Sequence, residues 1–426
     1  MGLFRNAGRL VSRGLKPTQK LRLTRAGLSY LGVWIALMAA GLHQQVNLIL
    51  LVAGLAFGPL VASYFVSLMA LWNVRVVRRV SAWVFSGEPL AIDYSLANAS
   101  RFYAALALSV EDLASPLDKH IPDAAAVLPA VDFARVAPGT TGRLKWQGPT
   151  PGRGRYRFST LELVTRSPFG LMERRKIVPA ACELLVYPKI GQLARRWNQI
   201  HRESNESTRG HKHDRSAQQQ EYHGLRDYRP GDSQRLIHWR TTARIGKPMV
   251  KEFEQEHDQA LAILIDPWLP RTKVTAEQRE ALEASICFAA TVCLETCRHA
   301  GRRLLLGWTG PTPGVRQGPA SIKLLHDLLE QLAVMQSSSE AQVSSLLDAL
   351  PPAMLRDAVI VLVSTRAVNL AEEAENTVRL AGGSARGMVG RILNLDSSRG
   401  VLTDLIQLVG GGQRAMLRPK EAVNEI

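Results

Sequence analysis

The side chains best suited to acid–base chemistry lie close together near the middle of the chain. Asp227, Asp232 and His238 fall within one arginine-rich segment. Carboxylates and imidazoles can transfer protons when burial shifts their pKa values, so this segment permits the hypothesis of a hydrolase. Asp232, however, follows Pro230 and Gly231, an order that predicts a tight turn in which the aspartate caps a helix. We therefore favour a structural or partner-docking role for the segment.

The same segment predicts a short helix after the turn. Arg235 and Trp239 stand four residues apart, so their side chains would share one helix face. Leu236 and Ala243 would bury the opposite side, and Gly246 would end the helix.

Metal-ligand spacing is missing from the histidines and cysteines. His201, His211, His213 and His223 lie in or beside residues 195–220, a polar stretch that predicts a solvated loop. The four cysteines, Cys182, Cys287, Cys293 and Cys297, do not form a disulfide framework or a zinc motif. The sequence also contains no phosphate-binding loop, no Gly-x-Ser-x-Gly elbow and no His-Glu-x-x-His helix. We expect no cofactor, no metal and no enzymatic activity.

Two apolar runs predict a pair of membrane-spanning helices. Residues 27–42 and 48–72 are uncharged and are separated by a short polar turn, as a helical hairpin requires. Basic residues crowd both outer ends and are absent from the turn, so both termini are predicted to lie in the cytoplasm. These residues are Arg5, Arg9, Arg13, Lys16, Lys20, Arg22, Arg25, Arg75, Arg78 and Arg79.

Alternatives to this interpretation come from the same residues. A cleaved signal peptide fits the basic start and the small residues before residue 42, although the basic region is long for one. Gly54 and Gly58 form a small-xxx-small step, which serves either packing within the hairpin or homodimerisation. The formal charge of +16 also fits nucleic-acid binding, but acidic residues are interleaved with the central arginines and no known reader fold is evident.

The remaining chain predicts two soluble domains. Apolar residues alternate with period two in short runs over residues 73–182, which predicts a β-sandwich of about seven strands. From residue 259 apolar runs alternate with helical periods, which predicts an α/β domain with a parallel sheet. Asp266 ends the first of these strands, where α/β sheets bind ligands. Ser364 and Thr365 end a later strand and have no acidic residue beside them in sequence, so we expect no metal site there.

The central segment resembles the bacterial domain-of-unknown-function 58 family. The signature of that family is matched by Arg226, Tyr228, Gly231, Asp232, Arg235, Ile237, Trp239, Ala243 and Arg244. Arg153-Gly154 and the run from Ser167 to Leu171 also resemble the β-region of the family. The resemblance implies a von Willebrand A-like α/β domain whose Asp-x-Ser-x-Ser metal motif is degenerate at Asp266, since Pro267 to Pro270 supply no serine.

The resemblance also implies a membrane-anchored protein that works beside a MoxR-type AAA+ ATPase and a membrane transglutaminase-like protein. We predict a basic cytoplasmic tail (1–25), a transmembrane hairpin (26–72), a β-sandwich-like domain (73–182), a linker with the signature (183–258) and the α/β domain (259–426). The predicted location is the bacterial inner membrane with the soluble domains in the cytoplasm. The predicted function is that of a non-enzymatic adaptor or scaffold in the assembly or maturation of other proteins.

Overall fold

The computed structural model of the protein describes residues 18–117, 126–210, 221–228, 236–254, 260–299, 302–340, 343–351, 358–375 and 392–408. These residues form two compact units, and the division in sequence falls between Lys189 and Ile190. Each unit has its own sheets and its own buried apolar core.

The first unit begins with a strand and two long apolar helices. Strand β1 covers Thr18–Leu23, helix α1 covers Arg25–Gln44 and helix α2 covers Asn47–Trp72. Both helices are long and apolar enough to cross a membrane, and at 1.5 Å per residue they measure about 30 and 39 Å. The two predicted apolar helices are confirmed. Helix α1 is longer than the uncharged run because it begins at Arg25 and ends at Gln44.

Polar groups on α1 hold the two helices together. The hydroxyl of Tyr30 donates to the carbonyl of Ala56 at 2.8 Å, and the indole N–H of Trp34 donates to the carbonyl of Ala53 at 2.9 Å. Each bond gives a donor a partner that the interior of a bilayer could not supply. The hairpin therefore carries specific contacts between its helices as well as apolar packing.

The glycines of α2 do not take part in this contact. A Cβ added at Gly54 or at Gly58 would meet nothing within 4 Å. The small-xxx-small step of Gly54 and Gly58 therefore does not serve packing between α1 and α2. Homodimerisation through this step stays a prediction.

Two sheets share one core in the rest of the first unit. Their strands are β2 (Val74–Val80), β3 (Trp83–Phe85), β4 (Leu90–Asn98), β5 (Ala105–Pro116), β6 (Ala130–Val136), β7 (Thr141–Gly148), β8 (Gly154–Thr165) and β9 (Met172–Tyr187). The larger sheet has the order β1-β9-β8-β5-β6 with β3 beside β9, and the smaller has the order β2-β4-β7. Buried side chains of both sheets form a single cluster, so the predicted β-rich domain is confirmed, with β9 reaching beyond residue 182.

The predicted basic tail is partly folded. Strand β1 runs antiparallel to β9, from Thr18 opposite Ile177 to Leu23 opposite Met172. The assignment of residues 18–23 to a tail was therefore wrong, because the backbone partner that orders them lies far along the chain. Residues 1–17 are outside the described residues.

The carboxyl end of α2 is embedded in the sandwich. Ala70 and Leu71 are buried in its core, and the amine of Lys176 on β9 donates to the carbonyls of Leu71 at 3.2 Å and Val74 at 3.0 Å. These bonds satisfy acceptors at the point where the helix ends. Burial lowers the pKa of Lys176, and the charge of Arg75 lowers it further.

A buried ion pair crosses the same core. One guanidinium nitrogen of Arg78 donates to both carboxylate oxygens of Asp112, at 3.0 and 2.8 Å, and the hydroxyl of Tyr94 donates to the same carboxylate at 2.9 Å. The side chains of Arg78 and Asp112 are 3% and 0% exposed. Burial, reinforced by Asp112, raises the pKa of Tyr94. Arg78 thus does not belong to the exposed basic flank in which the sequence placed it.

The second unit consists mainly of a five-stranded sheet with helices. Its elements are β10 (Gly191–Leu193), α3 (Arg195–Gly210), β11 (Glu221–Asp227), α4 (Trp239–Ile245), β12 (Met249–Glu254), β13 (Ala260–Asp266), α5 (Ala276–Cys297), β14 (Arg303–Trp308), β15 (Gly314–Pro319), α6 (Ile322–Val334), α7 (Val343–Asp348), β16 (Ala358–Ser364), α8 (Leu370–Glu375), β17 (Ile392–Asp396) and β18 (Ile406–Leu408). Separate two-stranded sheets pair β10 with β18 and β11 with β12.

The order of the large sheet is β15-β14-β13-β16-β17. Strands β14, β13, β16 and β17 are parallel, whereas the edge strand β15 is antiparallel. Every residue of β13 and β16 is buried, as expected for central strands of an α/β sheet. The sheet is therefore partly parallel, and a von Willebrand A-like identity for it stays a prediction.

The polar stretch after the sandwich is also partly ordered. Residues 195–220 were predicted to be a solvated loop, but residues 195–210 form α3. Trp197 is 4% exposed and packs edge-on against Phe288 of α5, with ring centroids 5.0 Å apart. Trp197 thus anchors the start of a mainly polar helix to α5. His211 and His213 lie outside the described residues.

Candidate functional site at the carboxyl edge of the sheet

The two central strands of the sheet end in polar side chains that meet. Asp266 is the last residue of β13 and pairs in register with Ser364, the last residue of β16. Strand order reverses between these two strands, and the crevice outside such a reversal is where open α/β sheets bind ligands. The fold therefore places a carboxylate at the expected ligand position.

Three protein groups surround this carboxylate. The hydroxyl of Thr309 donates to Oδ1 of Asp266 at 3.0 Å, and the hydroxyl of Ser364 donates to Oδ2 at 3.2 Å. The Nε of Arg366 also donates to Oδ2 at 3.2 Å. Asp266 is fully buried, whereas the Arg366 side chain is 23% exposed. Both oxygens of the carboxylate thus have donors, and its charge is compensated from the solvent side.

The surrounding contacts fix these donors. The backbone N–H of Arg366 donates to the hydroxyl of Ser364 at 3.2 Å, and the hydroxyl of Ser397 donates to the carbonyl of Ser364 at 3.1 Å. The guanidinium of Arg366 also contacts Glu373 of α8 at 3.4 Å. Arg366 therefore lies between two carboxylates, which holds its side chain over the edge of the sheet.

Burial and hydrogen bonding act in opposite directions on Asp266. Burial is the largest influence and raises the pKa of the carboxyl group. The hydroxyl of Thr309, the charge of Arg366 and the hydroxyl of Ser364 each oppose this rise. A raised pKa at a ligand-binding edge marks a candidate functional position.

The donor set bears directly on whether a cation would fit here. Asp266, Ser364 and Thr309 provide oxygen atoms of the kind that hard divalent cations prefer. The guanidinium of Arg366, however, already supplies positive charge to Oδ2, so a cation at that oxygen would have to displace it. Among the described residues, no group of three or more His, Cys, Asp or Glu side chains could hold a metal ion.

Sequence reasoning identified Asp266 but missed its partners. Ser364 and Thr365 were noted at the end of a strand with no acidic residue beside them in sequence, and the strand pairing brings Asp266 itself opposite Ser364. Arg366 follows them directly and Thr309 follows β14. Polar residues immediately after buried strands were the available signal, since parallel strands end at one edge of a sheet.

The signature residues form a second, separate feature. Strands β11 and β12 pair so that Arg226 lies opposite Val250, and Ile237 forms a bridge with Val250. Tyr228 follows β11 and its N–H donates to the carbonyl of Pro248 at 3.0 Å. The antiparallel pairing of β11 with β12 thus holds the start of the signature segment against the chain that follows it. Gly231, Asp232 and Arg235 lie outside the described residues.

Helix α4 begins later than the sequence predicted. His238 is its N-cap and accepts the N–H of Thr241 at its Nδ1 atom, 3.3 Å away. Gly246, with φ of 75°, ends the helix as expected. Arg235 lies outside the described residues, so the predicted sharing of one helix face by Arg235 and Trp239 stays a prediction. The expected capping role of Asp232 stays a prediction.

The side chains of α4 are largely exposed. Trp239 is 68% exposed and Ile245 is 56% exposed, and Arg240, Ala243 and Arg244 also face solvent. Leu236, expected to bury one side, is 38% exposed. Trp239 and Ile245 stand six residues apart on α4 and are exposed together with two arginines, and exposed large apolar side chains are candidate interaction positions. We call Trp239, Arg240, Arg244 and Ile245 the α4 surface.

A cavity of about 390 Å³ lies elsewhere in the second unit. It is lined by residues of β10, α3, β13 and α5 and of the segment between α5 and β14, namely Leu193, Trp197, Asn198, His201, Leu261, Val292, Glu295, Thr296, His299 and Arg302. Burial, together with the charge of Arg302, lowers the pKa of His201. His201 therefore contributes a neutral ring to this cavity at neutral pH.

The cysteines are free thiols. Cys287 and Cys293 are buried on α5, and Cys182 and Cys297 are partly buried. Burial raises the pKa of Cys293 well above its ordinary value and raises the pKa of Cys297 to about 11. The thiols of Cys293 and Cys297 thus remain protonated at neutral pH, when they are poor nucleophiles.

Comparison with known proteins agrees with the resemblance over part of the chain. The family described as "Protein of unknown function DUF58" matches residues 224–389, a range that contains both α4 and Asp266. "Uncharacterized protein YeaD" of Bacillus subtilis (strain 168) is 30% identical over 116 residues, which cover 27% of this chain and 28% of that protein. The chain thus matches less than a third of the length of this relative.

Solved structures with local likeness include two small domains. The CARDB domain of a Pyrococcus furiosus protein in complex with di-metal ions is 11% identical, covers 27% of this chain and 92% of that domain, and has a TM-score of 0.18. The C-terminal domain of wzt is 10% identical, covers 28% of this chain and 75% of that domain, and has a TM-score of 0.21.

Proposed function

We propose that the protein is a non-enzymatic, membrane-anchored adaptor, and that it works with a MoxR-type AAA+ ATPase in the assembly or maturation of other proteins. The observation that carries the proposal is the α4 surface, which exposes Trp239 and Ile245 beside two arginines within the residues that match the family. Tryptophan and arginine are the residues that most often anchor protein interfaces. The positive charge of the two arginines favours an acidic partner surface.

The hairpin supports the membrane part of the proposal. Apolar side chains cover the outside of α1 and α2, with Leu55 72% exposed and Leu28 58% exposed. Arg22, Arg25 and Arg75 are exposed beside the outer helix ends, and the turn between the helices has no basic residue. By the positive-inside rule we assign both outer ends to the cytoplasmic side of a bacterial inner membrane.

The sheet edge supports a binding role over a catalytic one. In a von Willebrand A-like domain this edge would bind a partner through a cation, and here Arg366 supplies the positive charge at Asp266. His238, the imidazole considered for acid–base work, uses Nδ1 to cap α4. In the described part of the chain, the carboxylate of Asp266 and the imidazole of His238 are thus both engaged in structural hydrogen bonds.

Binding of the full-length protein in detergent to a MoxR-type ATPase from the same organism tests the proposal. Association is expected in at least one of three states: nucleotide-free, ADP-bound, or bound to a slowly hydrolysed ATP analogue. Trp239→Ala should weaken it by about tenfold or more, as loss of a buried aromatic anchor does. Arg244→Glu should weaken it as well.

Ile322→Ala is the matched control, because Ile322 is an apolar side chain 49% exposed in the same unit. It should leave the affinity unchanged. Lack of association in all three nucleotide states would contradict the assignment of the partner. Association that is insensitive to both α4 variants would contradict the assignment of the surface.

A further inference from the structure

The loop between β8 and β9 is fastened to the first turn of α1. Thr24, the N-cap of α1, donates its hydroxyl to the carbonyl of Gly170 at 2.6 Å and its N–H to the carbonyl of Leu171 at 3.1 Å. A Cβ added at Gly27 would overlap the carbonyl oxygen of Leu171. The loop and the helix backbone are therefore in direct contact.

Apolar and basic side chains surround this contact. Phe169 is 57% exposed at the tip of the loop, and Leu23 at the end of β1 is 42% exposed. Arg22 and Arg25 are exposed beside them. Phenylalanine and leucine next to arginine is the composition of segments that enter the headgroup region of a bilayer, where apolar side chains reach the acyl chains and arginines meet phosphates.

The lengths of the two helices set the depth of this loop. Helix α1 has 20 residues and spans about 30 Å, which equals the hydrocarbon thickness of a bilayer. When α1 crosses the bilayer, its first turn lies at the interface, and so does the loop fastened to it. Helix α2 has 26 residues and is about 9 Å longer. Its last turn is buried in the sandwich, so the end of α2 lies further from the bilayer core.

We propose that Phe169, with Leu23, Arg22 and Arg25, forms a membrane-inserting lip through which the sandwich rests on the phospholipid surface. The proposal rests on the membrane attachment proposed above. Inserted at this one side, the lip gives the sandwich a third point of attachment beside the two helices and fixes its tilt on the membrane.

The loop at the other helix end provides an internal comparison. Ala99 donates its N–H to the carbonyl of Asn73, which follows α2, at 2.9 Å. Phe102 in this loop is 78% exposed, so it is chemically equivalent to Phe169 but is attached to the longer helix. We expect Phe102 to remain outside the acyl region.

Lipid-quenching measurements on the full-length protein in phospholipid vesicles containing anionic lipid test this arrangement. Phe169→Cys, Phe102→Cys and Leu55→Cys, each in a background that carries Cys182→Ser and Cys297→Ser because these two native cysteines are only partly buried, are labelled with an environment-sensitive fluorophore. Bilayers with brominated acyl chains supply the quencher. Quenching at position 169 should exceed that at position 102 by about twofold or more, given the ~9 Å difference in depth. Position 55, about 12 Å along α2 from its first residue, should also be quenched strongly.

Strong quenching at position 55 with equal, weak quenching at positions 169 and 102 would overturn the lip and leave the membrane attachment intact. Weak quenching at all three positions would overturn the membrane attachment itself, and the lip with it. A shared circular dichroism spectrum and thermal transition for the three labelled proteins establishes that each is folded.

Discussion

Among the described residues, each unit of the molecule contains a fully buried aspartate that is paired with an arginine, and these two pairs differ in geometry. Arg78 holds both oxygens of Asp112 at 3.0 and 2.8 Å, and both side chains are nearly inaccessible. Arg366 contacts a single oxygen of Asp266 at 3.2 Å and keeps 23% of its side chain exposed. The first pair is enclosed within a sandwich core, whereas the second opens at the edge of a sheet.

This difference separates a structural pair from a candidate site. An enclosed pair, in which one guanidinium nitrogen contacts both carboxylate oxygens, restricts how two sheets pack, and loss of one member leaves a buried charge that solvent cannot reach. An edge pair can exchange its arginine for another positive or hydrogen-bonding group without opening the core. Both pairs join an arginine to an aspartate, so the exposure of the arginine decides which pair a binding partner can reach.

The largest expected effect is on the enclosed pair. Arg78→Met should lower the free energy of unfolding of the first unit by about 3–5 kcal/mol, because Asp112 would remain buried without its counter-charge. Chemical denaturation of the protein in detergent measures the change. The adjacent Arg79→Met is the control, since Arg79 is exposed, and it should change stability by less than about 0.5 kcal/mol. Equal losses in the free energy of unfolding for the two variants would contradict a stabilising role of the enclosed pair.

A smaller effect is expected at the edge pair. Arg366→Met leaves Asp266 with the hydroxyl donors of Thr309 and Ser364, and solvent reaches the vacated position. The loss for the second unit should be about 1–3 kcal/mol, the cost of under-satisfying a buried polar group. The same denaturation measurement checks it. A loss as large as that for Arg78→Met would break the distinction between the two pairs.

The smallest effect is a dependence of stability on pH. Because the pKa of Asp266 is raised in the folded state, the folded state binds more protons than the unfolded state between the ordinary and the raised value. The free energy of unfolding should therefore fall as pH rises through that window. In Arg366→Met the window should extend to higher pH, because an opposing positive charge is gone.

Denaturation of both proteins at a series of pH values from about 4 to 8 measures this slope. When Asp266→Asn is introduced into the unchanged protein and into Arg366→Met, the two should show the same dependence of stability on pH, since the amide does not titrate. A slope that persists in the asparagine variant would assign the effect to another group.

The sequence predicted those features that depend on neighbouring residues. The apolar helices α1 and α2 and the strands β13, β14 and β16 were all visible as hydrophobic runs of suitable length. Each such run buries enough apolar surface to define its element locally. The strand at the end of which Asp266 lies was therefore located correctly.

Features that depend on distant residues were missed. Thr18–Leu23 contains four polar or basic residues and forms a strand only because β9 offers an open edge. Arg78 reads as part of a basic flank until Asp112 is brought to it. Arg366 is one arginine among many in the sequence, and only the parallel register of β13 and β16 places it beside Asp266. In each case the determining contact joins residues from different elements, which periodicity does not record.

The pairing of β1 with β9 also constrains how the protein can be made. During synthesis β1 emerges before both helices, and its partner emerges only after the rest of the sandwich. In the membrane arrangement proposed above, β1 meets β9 only when both helices cross and the chain returns to the side from which it started. Under that proposal, completion of the sandwich accompanies correct insertion of the hairpin. A molecule with one helix left out of the bilayer would keep an unpaired strand edge, the kind of surface that promotes aggregation and recognition by quality control.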